Sequence, residues 1–243
     1  ISKRMKMADV IHMNYLLLYV IDRFGIKLGF GDQSVEEVCR KHHLDADFVV
    51  EIVNSFVDEH YIPSSDINTF PTEQAVEYLR NTHSSYLDVK IPEIESLINE
   101  MVQNCSLDKK NVIILNNFFD EYREELESHI KREEDAVFPY VLKITDAFRK
   151  KSVTTELINE MKSYSIQDFA SEHDNVEEKL YDLKNIIIKY LPPVDNPHLC
   201  HKILIELFNL EKDLNDHALL EDRLVVPIVS EKEAYLKRIF TQQ

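Results

Sequence analysis

His129-Ile130-Lys131-Arg132-Glu133, followed by Pro139, and His217-Ala218-Leu219-Leu220-Glu221, followed by Pro227, share one skeleton: His, three residues, Glu, five residues, Pro. On a helix, residues four apart lie one above the other on the same face. An imidazole nitrogen and a carboxylate can therefore reach one metal ion from a single helix. Two such helices facing each other supply two imidazoles and two carboxylates, and two carboxylates can bridge two metal ions.

The pattern extends outward from these segments. His83 precedes His129 by 46 residues, and His173 precedes His217 by 44. Each half of the chain thus offers a lone His and then a His-x3-Glu pair, which predicts a pseudo-two-fold site at the centre of a helical bundle. The candidate metal ligands are His83, His129, Glu133, His173, His217 and Glu221. They lie on stretches otherwise heavy in Leu, Ile, Val and Phe, where a buried carboxylate is costly unless paired or metal-bound. A single His-x3-Glu pair is usually a solvated contact worth about 0.2–0.5 kcal/mol. Its recurrence with the same downstream Pro, beside two further His, favours the metal. Imidazole with carboxylate suits iron, and also zinc or manganese.

Glycine decides the fold class. Of 243 residues only three are glycine, Gly25, Gly29 and Gly31, and the chain from Asp32 to Gln243 has none. Hairpins and sheet bulges usually need glycine, so helices joined by polar or proline-marked loops are expected. Met7–Arg23 reads as one helix, ended by a glycine turn over 25–32. Ser34 with Glu37 forms a capping box for a second helix, and Asp45 starts a third. Tyr61 to Thr72 holds Pro63, Ser64, Ser65, Asp66 and Pro71 and reads as a linker. The expected division is a small helical N-terminal domain over 1–60, a linker over 61–72 and a bundle over 73–243. Its four long helices run from about Glu73 to Asn104 with a kink at Pro92, from near Asp108 through Val141 or beyond with a disturbance at Pro139, from about Thr154 to Tyr190, and from about Pro197 to Val226. A short helix follows from Ser230. Four helices of about 30 residues would each be about 45 Å long, and short connections imply an all-α, up-down four-helix bundle.

Charge and cysteine usage narrow the partners. The net charge of −16 argues against nucleic acid or an anionic membrane surface. No run of 18 apolar residues is present, so no transmembrane helix is expected. Residues 1–9 lack the features of a signal peptide, and the chain does not begin with Met. Cys39, Cys105 and Cys200 are scattered with no CxxC pair, which points to a reducing cytoplasm rather than a disulfide framework. The apolar stretch from Met13 to Val20 suits homodimerisation or the docking of a partner.

Other polar residues have plainer readings. His42 and His43 sit in a short charged helix and are expected in solvent, and His12 and His60 have no partner at ligand spacing. His198 and His201 flank Cys200 at a proline-marked helix start, where capping or exposure is expected. Glu177, four after His173, is balanced between a ligand and a solvent-facing role. Glu172 is a candidate proton relay or cavity-lining group. Glu121, Glu124, Glu125 and Glu127 read as a solvated face.

On His83, His129 to Pro139, Glu172-His173-Asp174 and His217 to Pro227, the chain resembles the hemerythrin-type HHE cation-binding domain over roughly Glu73 to Val229. With its N-terminal unit it is similar to the bacterial iron–sulfur cluster repair family of di-iron proteins. That resemblance implies two iron ions in a non-haem, oxo- or hydroxo-bridged centre, with histidine terminal ligands and with Glu133 and Glu221 as bridges. Two departures stand out. Oxygen-carrying hemerythrins place a histidine where this chain has Glu177. The repair family's N-terminal Cys-Cys-Gly-Gly turn is replaced by Gly29-Phe30-Gly31-Asp32, after Phe24-Gly25-Ile26-Lys27-Leu28, so the resemblance does not extend to thiol chemistry there. Cys39 resembles a core cysteine of that domain and reads as packing.

The resemblance implies a stress-response protein acting on iron–sulfur clusters damaged by nitric oxide or oxidants, by donating iron or by reducing nitric oxide or peroxide. The alternative is a module that binds or senses oxygen, nitric oxide or iron without turnover. A metal-free interaction protein that kept the bundle is a third reading. The bundle alone does not choose among them.

Overall fold

The computed structural model describes residues 1–58, 60–61, 69–104, 108–171, 176–192 and 196–241. These residues are helical apart from turns, loops and one isolated bridge between Lys6 and Ser34. The chain divides into two compact units, one made of 1–82, 137–171 and 216–243, the other of 83–136 and 172–215.

In the first unit, local capping sets the early helices. Helix α1 (Met7–Met13) and helix α2 (Leu17–Arg23) replace the single helix expected over Met7–Arg23. Asn14 adopts an extended backbone, and its Oδ1 accepts the Leu16 N–H at 3.0 Å. This side-chain bond competes with helix continuation, as Asn often does. Gly25 and Gly31, both at left-handed φ, make the turn that follows. Helix α3 (Val35–Lys41) starts at the expected capping box: Ser34 N–H donates to Glu37 Oε2 at 2.8 Å, and Glu37 N–H to Ser34 Oγ at 3.3 Å. Asp45 caps α4 (Ala46–Val57) through the Phe48 N–H. These helices bury Leu17, Ile21, Phe48, Val49 and Cys39 in one core, continuous with side chains of α5 (Thr72–Ser85), α8 (Phe138–Lys150), α10 (Ile166–Ser171) and α13 (Val226–Thr241).

The second unit is built from α6 (Ile91–Asn104), α7 (Lys109–Arg132), α11 (Val176–Asn185) and most of α12 (Pro197–Leu220). Its core consists of stripes at helical spacing: Ile94, Ile98 and Met101; Leu115, Phe119, Tyr122 and Leu126; Leu180 and Leu183; Ile203, Leu207, Leu210 and Leu214. Alternating four- and three-residue steps on α7 and α12 are the coiled-coil-like packing expected of a bundle. Two buried lysines are neutralised here, Lys90 by Glu206 at 3.2 Å and Lys184 by Glu211.

Proline reshapes the long helices. Four five-residue π-helical turns occur among the described residues, at Tyr86–Lys90, Glu133–Val137, Ile186–Tyr190 and Glu221–Val225. Each ends two residues before a proline: Pro92, Pro139, Pro192 and Pro227. Proline has no N–H, and its ring crowds the carbonyl four residues back. A wider turn moves the hydrogen bonding by one residue before the proline arrives. Accordingly Ile91, Leu191 and Val226 each donate their N–H to the carbonyl five residues back, on Tyr86, Ile186 and Glu221.

This corrects two expectations. The fourth helix does not stop at Val226, because the Glu221–Val225 turn absorbs Pro227 and α13 continues to Thr241. The expected third helix from Thr154 to Tyr190 is broken into α9 (Thr155–Ser163), α10 and α11. Thr154 does cap it, through the Leu157 N–H at 3.2 Å. However, Tyr164 turns extended, and Ser165 and Asp168 form a second reciprocal cap. The buried Glu233 carboxylate also accepts the Ile166 N–H at 2.9 Å and so fixes the break.

Candidate metal centre

In the second unit the ligand candidates converge on one carboxylate. His83 lies near the end of α5, and His129 on the last turn of α7, four residues before Glu133. Glu133 is fully buried at 0% exposure. His83 Nε2 lies 3.0 Å from Glu133 Oε2, and His129 Nε2 lies 3.1 Å from Glu133 Oε1. Each carboxylate oxygen thus meets one imidazole. The other ring nitrogen of His83, Nδ1, lies 2.9 Å from Glu134 Oε1.

The first unit carries the matching pair. His217 sits in the last turn of α12 and Glu221 opens the next π-helical turn; both are buried, with Nε2 3.4 Å from Oε1. Glu133 and Glu221 therefore occupy equivalent positions, each the first residue of a π-helical turn reached from a His one α-turn earlier. Such turns are frequent at functional sites. His173 lies outside the described residues, as do Glu172 and Asp174; Glu177 falls on α11.

The donor set suits a cation. An ionised carboxylate only accepts hydrogen bonds, and a neutral imidazole has one N–H. His83 faces carboxylates with both nitrogens. If Nδ1–H serves Glu134, the Nε2 lone pair points at Glu133 unless a positive charge joins them. A proton can do this, and so can a metal ion held by nitrogen and oxygen donors. The residues present thus fit a nitrogen- and carboxylate-ligated metal.

A model of the hemerythrin HHE cation binding domain matches residues 92–229. The chain belongs to the hemerythrin HHE family. Five of the six predicted ligands fall inside the matched span, and His83 lies just before it. The fold is accordingly the all-α, hemerythrin-like bundle with a helical N-terminal region. Membership of this family implies a metal site, typically for iron. The chain is also 18% identical over 207 residues to the iron-sulfur cluster repair protein ScdA of Staphylococcus haemolyticus (strain JCSC1435), covering 85% of this chain and 89% of that protein. Among the described residues no helix is long and apolar enough to cross a membrane.

Sequence reasoning missed Glu134 as the partner of His83. Its only local signal is that it follows Glu133 in the same segment. His12, His42, His43, His60, His198 and His201 are exposed, in keeping with their plainer readings. Cys39 is fully buried, and burial, reinforced by Asp45, pushes its thiol up to about 11. Cys200 packs its thiol 3.4 Å from the Met101 thioether.

Proposed function

We propose that the protein is a non-haem di-iron protein that serves the repair of iron–sulfur clusters damaged by nitric oxide or oxidants. The observation that carries this reading is the buried Glu133 carboxylate held between His83 and His129, with the same His-x3-Glu construction at Glu221. We assign His83, His129, Glu133, His173, His217 and Glu221 as one ligand set. The side chains of His83, Glu133 and His217 are each buried. The likeness to an iron-sulfur cluster repair protein supports the cellular role.

Iron held by these residues would supply single electrons for reducing nitric oxide or peroxide, or would itself be the cargo for a damaged cluster. The chain's own residues do the rest. Glu133 and Glu221 provide carboxylates able to bridge. With a metal ion at Nε2, Glu134 Oε1 would accept the Nδ1 proton of His83 and orient the ring. Burial of Glu133, His83 and Glu221 excludes bulk water, which strengthens every charge interaction there.

A second reading, a sensor of oxygen, nitric oxide or iron without turnover, is favoured by one feature of the first unit. Met13, Tyr15 and Tyr19 are exposed on α1, α2 and their junction, a surface suited to a partner or a second copy.

The test is metal analysis of protein from iron-rich growth, followed by restoration of a nitric-oxide-inactivated iron–sulfur dehydratase. Two irons per chain and recovery of the client's activity are expected, and Glu133→Ala should lose half its iron or more. Full iron retention in that variant would remove Glu133 from the site. Two irons with no recovery, but reversible nitric oxide binding that alters the N-terminal helices, would establish the sensor instead.

A further inference from the structure

Lys232 is a half-buried cation held by hydroxyl groups. It projects from α13, where its ammonium donates to Thr72 Oγ1 at 2.6 Å and lies 3.4 Å from Thr145 Oγ1. Both partners are neutral hydroxyls. Among the described residues no carboxylate lies within ion-pair distance of it, whereas the buried Lys90 and Lys184 each have a glutamate. This is not for want of acid, since Asp and Glu total 44 against 28 Lys and Arg. Glu73 acts on Lys232 from a distance, but its carboxylate is engaged by Arg149 at 3.2 Å. Burial shifts the lysine toward its neutral form, the expected response to an uncompensated charge.

The same lysine lines a half-open cavity of about 430 Å³, within the usual range for small-molecule sites. Phe148, Ile228 and Tyr235 give it apolar walls, and Glu231 and Arg238 are its other charged lining residues. Phe148 and Tyr235 pack edge to face with ring centres 5.0 Å apart. Lys232 Nζ lies 5.9 Å from the centre of the Phe148 ring, and both residues line the cavity. An ammonium has three donors, and the two threonines account for at most two.

We propose that this cavity binds a small organic monocarboxylate with a flat apolar body, its carboxylate on Lys232 and its body against Phe148. One carboxylate supplies the missing charge. A dianion would leave a surplus facing Glu231, so a phosphate is the poorer fit. The site uses none of the proposed metal ligands and stands or falls separately from the metal reading.

The test is titration of the full-length protein with benzoate, with phenyl phosphate as the competing probe, followed by amide and side-chain NMR shifts. Benzoate should shift signals of Phe148, Lys232 and Tyr235, and Lys232→Met should weaken it about tenfold or more, as loss of a charge-assisted contact does. Because Lys232→Met also removes the donor to the buried Thr72 and Thr145 hydroxyls, its thermal melting is measured beside the titration as the control for folding. Phe148→Ala provides a second variant and should also weaken binding. Equal affinity of Lys232→Met for benzoate, no saturable shift at these residues, or tighter binding of phenyl phosphate would each overturn the proposal.

Discussion

His83 Nδ1 and Glu134 Oε1 stand 2.9 Å apart, on the ring edge opposite the Nε2 that meets Glu133 Oε2 at 3.0 Å. When a metal ion occupies Nε2, the ring proton belongs at Nδ1, where Glu134 accepts it. Outer carboxylates of this kind typically contribute 10- to 100-fold in metal affinity. Glu134→Ala is therefore expected to weaken cobalt or zinc binding about tenfold, with Glu134→Gln falling between it and the parent. The metal-free protein offers a second readout. Nitrogen-15 shifts of the His83 ring should differ between the parent and Glu134→Ala, which removes the partner of Nδ1. Identical shifts and affinity in the two proteins would remove Glu134 from this role.

Pro227 and Glu221 are linked through the turn between them. The proline favours the i→i+5 bond from the Val226 N–H to the Glu221 carbonyl, which sets the helical phase of α13 relative to Glu221. Pro227→Ala restores a donor and removes the ring, a substitution that favours regular helix by about 3 kcal/mol of intrinsic propensity. The variant is expected to melt at the parent's temperature or higher, while binding metal more weakly. Both parts are checked together by thermal melting of the metal-free protein and by cobalt titration. A variant that is less stable yet binds cobalt as tightly as the parent would show that the proline serves the fold and not the ligand.

The features legible in the sequence are those written in local geometry. Ser34 with Glu37, Asp45, Asp108 and Thr154 each cap the helix expected of them. The i,i+4 relation of His129 to Glu133 follows from helical repeat alone. What escaped was set by longer-range contacts or by competition between local signals. Asn14 interrupts a continuous apolar pattern with a single side-chain bond. The break at Tyr164 depends partly on Glu233, which is 67 residues from Ile166. The persistence of the helix through Pro227 required a π-helical turn, for which no propensity rule supplies a signal. Glu134 was hidden because its partner, His83, lies 51 residues away.

Glu233 illustrates how a buried carboxylate can serve structure instead of metal. It is 4% exposed, and its Oε1 accepts both the Tyr140 hydroxyl at 2.8 Å and the Ile166 N–H at 2.9 Å; Lys237 lies 3.5 Å from Oε2. Burial, and then the bond to Glu233, push the Tyr140 hydroxyl well above the usual tyrosine range, so it stays a donor. Glu233→Ala leaves a buried hydroxyl and a buried helix-starting N–H without their acceptor. The expected loss is about 3 kcal/mol, from bonds to a charged group and the desolvation they offset. Urea unfolding of the metal-free protein measures this, and Tyr140→Phe should cost less because the backbone donor keeps its partner. A Glu233→Ala loss below that of Tyr140→Phe would contradict the assignment.

Cys39 gives the protein an alkaline limit whose direction follows from burial. The folded thiol is pushed up from 9.0 to about 11, with desolvation the largest cause and Asp45 adding to it. As pH rises past about 9 the unfolded chain releases this proton while the folded chain retains it. The unfolded state is therefore favoured progressively until about pH 11, where the folded thiol also ionises and the effect levels off. Below pH 9 both states hold the proton and Cys39 contributes no pH dependence. Cys39→Ala should remove this component of the alkaline loss, at the cost of a small cavity at a fully buried site. Urea midpoints of the metal-free protein at pH 8, 9 and 10 should fall more steeply in the parent than in Cys39→Ala. A thiol reagent applied at pH 8 should label Cys39 only at the rate of unfolding, because the thiolate is the reactive form and the folded site disfavours it. Rapid labelling of folded protein at pH 8 would show that the Cys39 environment is open and that the thiol is available for chemistry.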